Sequence, residues 1–173
     1  IPGPRASPRF HSPVESAGHR VKVVKLETFP VSIAYKHDEV SSIVTRSGVT
    51  DVIVKLSTDD GLVGWGESCT AADTAGIESA VRAMAPFVVG RDPWQTEAIA
   101  RDVFVAAAWQ FQPMTGNFAF AGIDMALWDL CGKACGQPLY RLFGGALNDE
   151  IDYFYYVHWG SAEDVAAQGR DGI

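Results

Sequence analysis

No apolar run among the 173 residues approaches the roughly 20 needed to cross a bilayer, and cysteine is scarce. Cys69, Cys131 and Cys135 form an odd set without the spacing of a disulfide framework. They read as reduced thiols of a cytoplasmic protein, structural rather than reactive. Positive charge is also in short supply: 14 Lys and Arg face 21 Asp and Glu, a net charge of −7. With no basic stripe to neutralise phosphates, a nucleic-acid partner is not expected. A membrane partner is not expected either.

Residues 1–20 lack both periodicity and the apolar stretch of a secretory signal, yet hold four of the nine prolines. They read as a disordered leader, with Val21 as a candidate alternative start. Everything after them is regular. Val21–Ile33 is rich in β-branched residues and reads as a first strand. Ala34–Thr50 is polar, too long for a tight hairpin, and reads as a long functional loop. Asp51–Thr58 alternates, with Val52, Val54 and Leu56 on one side. Asp59-Asp60-Gly61 signals a hairpin, and Leu62–Glu67 returns as a third strand. Gly64 and Gly66, on either side of Trp65, suit a bulge or a close backbone approach.

Helical spacing follows. Ile77, Ala80, Val81 and Met84 share a face, and Pro86 should end or kink that helix near Ala85. Asp92-Pro93 with Gln95 looks like a capped start for a second helix carrying Ile99, Val103 and Phe104. A third runs from about Phe118 to Ala134, with Ile123, Ala126, Leu127 and Leu130 inward and Asp129–Lys133 paired outward. Gly136 and Pro138 stop it. Strands first and helices afterwards make an α+β domain: a three-stranded antiparallel meander followed by a helical bundle. Ile151–Val157 then reads as an apolar aromatic strand buried on both faces. Ser161, with Asp164 three residues on, opens a further helix.

The run Ala119-Phe120-Ala121-Gly122-Ile123-Asp124-Met125-Ala126-Leu127-Trp128-Asp129-Leu130-Cys131-Gly132-Lys133, continuing through Gly136, Pro138, Leu139 and Tyr140 to Gly144-Gly145, resembles the N-terminal signature of the mandelate racemase/muconate lactonizing enzymes of the enolase superfamily. Gly64-Trp65-Gly66-Glu67 and Gly90-Arg91-Asp92-Pro93 resemble that family at the expected places. The resemblance implies a capping domain over residues 21–145 and, over 146–173, the incomplete start of a (β/α)7β TIM-like barrel. It implies Mg²⁺ as cofactor, held by acidic residues of later barrel strands beyond Ile173, and a base that removes the proton next to a carboxylate. The metal would stabilise the charge that this step leaves on the carboxylate oxygens. No catalytic residue or metal ligand is identifiable within the chain, which alone should be inactive.

The resemblance also directs attention to the segment after strand one, which in that family folds over the barrel mouth. Tyr35, Lys36 and His37 are the candidate substrate-binding residues there, offering a donor, a cation and a titratable ring against the plainer reading of a solvated loop. Thr70, in a second loop at Cys69–Asp73, is another, set against ordinary helix capping by Asp73. His158 directly follows the aromatic strand, where barrel sites sit. Lys36 and His37 suit a small polar carboxylate, so a racemase/epimerase or an acid dehydratase is favoured. The alternatives are a cycloisomerase of the muconate lactonizing type and a noncatalytic module. A homo-oligomer is expected, and a second segment completing the barrel is a further expected partner.

Overall fold

The computed structural model describes residues 20–70, 73–106, 114–157 and 159–172; the leader over 1–19 and His158 lie outside them. Three strands, β1 (Val23–Val40), β2 (Thr45–Thr58) and β3 (Val63–Ser68), form an antiparallel sheet in sequence order. Helices α1 (Thr74–Val88), α2 (Thr96–Ala106) and α3 (Thr115–Cys135) follow, then a single turn α4 (Leu139–Leu142) and α5 (Ala162–Asp171). The meander and the helices after it are those expected. The alternation in β2 decides which face is covered: Val52, Val54 and Leu56 are fully buried against Ile123, Ala126, Leu127 and Leu130 of α3 and Val81 and Met84 of α1. α1 is tied to the sheet at its rim, where Thr28 donates to Glu78 at 2.7 Å and Arg82 bridges back to both.

Close approach of β3 to α3 needs its glycines. A Cβ on Gly66 would run into the Gly122 carbonyl oxygen, and one on Gly64 into the Ala126 carbonyl oxygen; both are backbone atoms that cannot swing aside. Gly122 in turn faces the Ser68 hydroxyl. The two backbones are in contact through three missing side chains. Asp129 fastens the same seam from outside: its carboxylate accepts the Trp65 N–H at 2.9 Å and the Lys133 ammonium at 2.6 Å. Lys133 also donates to the Val63 carbonyl at 2.8 Å.

Four expectations need correction. Residues 34–50 are not an irregular loop: β1 and β2 run on as a long hairpin, closed at 41–44 by the Ser41 hydroxyl and the Val44 backbone. α1 passes through Pro86 for two residues, because Val88 is fully buried and the Val89 N–H still reaches the Ala85 carbonyl at 2.9 Å. α2 starts at Thr96; Asp92 instead closes a turn, its side chain accepting the Trp94 N–H and its carbonyl the Gln95 N–H. Finally, Ile151–Val157 forms no strand and is open to solvent, with Tyr153 and Phe154 more than nine-tenths exposed. A strand is stable only beside another, and among the described residues none lies next to it. α5 does begin as expected, with a complete Ser161–Asp164 capping box.

α3 ends on Gly136 at φ 62°, and the Gln137 N–H returns to the Gly132 carbonyl, the usual left-handed stop. Cys131 is buried, and burial pushes its thiol up to about 11, as befits a packing residue; Cys69 and Cys135 are exposed free thiols. Asp124 of α3 has its carboxyl pushed up, first by burial and then by nearby Glu97. A carboxylate whose folded value is raised opposes folding once ionised. That penalty acts above the folded value and fades as pH falls towards the unfolded one. Asp124→Asn should therefore raise the melting temperature at pH 7 and leave it unchanged at pH 3; an equal shift at both would show that charge is not the cause.

Candidate functional site

The hairpin holds the candidate site. Ala34 pairs with Gly48 and the next pair is Glu39 with Arg46, so Tyr35, Lys36, His37 and Asp38 on β1 stand opposite Ser47 alone. Extra residues on one strand cannot join the ladder and must bulge out, which re-aims their side chains. Gly48 makes the near side of this bulge possible, since a Cβ there would press on the Ile33 carbonyl oxygen at 2.6 Å. On the far side, Glu39 and Arg46 form an ion pair at 2.7 Å. The hydrogen bond that Arg46 donates to Glu39, and then the Glu39 charge, raise the Arg46 pKa, with smaller contributions from Tyr35 and Tyr156.

Tyr35, Lys36 and His37 line one open cleft of about 410 Å³ with Ala34 and Glu39. His37 and Asp38 also border a second, of about 430 Å³, whose other wall is Tyr155, Trp159, Gly160 and α5. Three sequence candidates are thus brought together. Thr70 is not among the residues that line either cleft. It is 3% exposed, its hydroxyl donates to the Thr50 carbonyl, and its N–H donates to Asp51 at 3.0 Å. That hydroxyl ties the end of β3 to β2, while Asp73 caps α1 by accepting the Gly76 N–H at 2.8 Å. His158 is outside the described residues, although its neighbour Trp159 borders the second cleft.

Sequence reading missed the Glu39–Arg46 pair and the wall supplied by Tyr155 and Trp159. The first was hidden because the segment was taken as a loop; two opposite charges seven residues apart on either side of a turn are the signal a hairpin would have offered. The second pairs segments more than a hundred residues apart. Among the described residues no three His, Cys, Asp or Glu side chains converge as a metal site would require. The described residues offer no set that fits Mg²⁺. No helix described is long and apolar enough to cross a membrane.

The N-terminal domain model of mandelate racemase / muconate lactonizing enzyme matches residues 23–144, which spans the whole sheet and α1–α4. The chain belongs to this family. A D-galactonate dehydratase family member of Streptomyces bingchenggensis is 38% identical over 129 residues, covering 72% of the chain and 31% of that protein. A D-galactonate dehydratase of Pectobacterium atrosepticum is 35% identical over 116 residues, covering 67% and 30%. The chain therefore spans about a third of the length of the curated relatives it matches. Among solved structures, muconate lactonizing enzyme from Pseudomonas fluorescens, complexed with muconolactone, superposes with a TM-score of 0.77 at 24% identity, over 88% of this chain and 42% of that one. At that identity the likeness concerns fold alone, and the fold is the N-terminal domain of the enolase superfamily.

Proposed function

We propose that the chain is the substrate-capping part of an acid-sugar dehydratase, with the bulge at 35–38 as the element that touches the end of the substrate away from the reacting carbon. The observation that carries this reading is the bulge itself: a hydrogen-bond donor, a cation and an imidazole presented together into one cleft. That set suits a polyhydroxy carboxylate, and the relatives named D-galactonate dehydratase point to the same class. A racemase or epimerase shares the first step, removal of the proton α to the carboxylate. The residues that carry out this step, and the Mg²⁺ that would supply Lewis acidity to it, belong in this reading to the region of the relatives that the chain does not span.

Dehydration has a balanced and visible outcome. The α-proton leaves carbon 2, hydroxide leaves carbon 3 as water once protonated, and the resulting enol takes a solvent proton at carbon 3. Incubating the complete protein with D-galactonate and Mg²⁺ in D₂O should give the 2-keto-3-deoxy acid with one deuterium at carbon 3. Exchange at carbon 2 with the hydroxyls retained would favour the epimerase reading. Neither exchange nor product with D-galactonate or its carbon-2 epimer would count against both.

A further inference from the structure

The bulged residues Tyr35, Lys36, His37 and Asp38 are held at two ends. The near end is the long ladder from Val23 to Ala34, which rests on the core through Val52, Val54 and Leu56 of β2. The far end is two pairs, Glu39 with Arg46 and Val40 with Thr45, before the turn at 41–44. A ladder this short is marginal in water, and the stretch of β1 leading to it is exposed from Phe29 to Asp38. With the far end open, the four residues would belong to a loop running from 35 to 47 and would lose their common aim.

Charge strengthens the far end. Arg46 meets Glu39 directly across the strands at 2.7 Å. An exposed ion pair adds little to the stability of a whole fold. On a ladder of two pairs the same small energy decides whether the ladder is closed. Glu39 is the more covered partner, 21% exposed against 53% for Arg46, so its carboxylate has less water to fall back on if Arg46 is removed. It also lines the cleft beside Tyr35, Lys36 and His37. Unpaired there, it would draw the Lys36 ammonium to itself and repel an anionic acid; paired, its charge is taken up by Arg46. We propose that Arg46 is a positioning residue: through Glu39 it closes the bulge and keeps that carboxylate from competing with substrate for Lys36. The effect on substrate rests on the capping reading given above, whereas closure of the bulge does not.

Two measurements on the complete protein test this: hydrogen exchange without substrate, read by mass spectrometry, and steady-state kinetics with D-galactonate. Arg46→Gln should speed exchange of the 39–46 amides about fivefold and raise KM by a similar factor, the ratio that about 1 kcal/mol, the upper worth of a cross-strand charge pair, represents. The melting temperature should not move, and kcat should hold within about twofold. Exchanging the charges, with Glu39→Arg and Arg46→Glu together, should restore both exchange and KM. Arg82→Gln, which breaks a surface pair with Glu78 on α1, should change neither. Exchange indifferent to Arg46→Gln would overturn the proposal, as would an exchanged pair that restores nothing. So would a KM raised as much by Arg82→Gln, or one that responds to Lys36→Met but not to Arg46→Gln. If exchange follows the pair but D-galactonate is not turned over, or Lys36→Met leaves its KM unchanged, the clamp stands and the capping reading falls.

Discussion

Gly66→Ala should destabilise the fold by about 3 kcal/mol or more, beyond the usual loss for a surface substitution, and could prevent folding altogether. The added methyl would meet the Gly122 carbonyl oxygen with the Ala126 amide nitrogen only 2.9 Å away, and neither is a side chain that can rotate clear. Relief would require β3 to lift from α3, opening the core between Val54, Leu56, Ile123 and Leu127. Gly61→Ala is the control. Gly61 has φ 90° but nothing near its Cβ position, so that substitution carries local backbone strain without displacing an element. Urea denaturation should show a loss at Gly66 at least twice that at Gly61. Equal losses would mean that β3 and α3 tolerate separation.

Asp129→Ala should cost about 2 kcal/mol, several times the few tenths expected of an exposed helical ion pair. The difference comes from what Asp129 accepts. Besides Lys133, it receives the Trp65 N–H on the free edge of β3, which loses this acceptor if the carboxylate is removed. Lys133→Ala also loses the bond to the Val63 carbonyl. The double variant should be less destabilised than the sum of the singles, because both act on the same stretch of β3. Strict additivity would separate the two side chains into unrelated contacts. A loss no larger than a few tenths for Asp129→Ala would reduce it to a solvated pair.

What the sequence made legible follows from the range of the forces involved. The alternation at Val52, Val54 and Leu56 and the stripe from Ile123 to Leu130 are local patterns with one buried outcome, and both were read correctly. The Gly64 and Gly66 approach was anticipated from glycine in a strand. The partner that demands it, the α3 backbone sixty residues later, was not visible locally. The hairpin arm failed for a different reason. Polar residues at 34–50 lack the alternation that marks a half-buried strand, because this arm reaches past the helices and has no core face to bury. The aromatic run at 151–157 failed in the opposite sense: its composition says buried strand, but pairing requires a neighbour, and composition cannot provide one. For the candidate site, Tyr35, Lys36 and His37 are singled out by residue type and resemblance, whereas the bulge that groups them emerges only from strand register. Thr70 was chosen for its place after β3; its burial and its bond to Thr50 come from tertiary packing.

The central claim is that this chain selects the substrate and leaves the proton transfer to other residues. Replacing Lys36 with Met and His37 with Gln in the complete protein tests it, with D-galactonate and a set of its stereoisomers as probes. Losing one charged hydrogen bond of about 1.5 kcal/mol or more should raise KM for the preferred acid roughly tenfold. The order of preference among the acids should change, and kcat should hold within a fewfold. Unchanged KM values and preferences, or a kcat that collapses for every acid while KM stays fixed, would contradict the account.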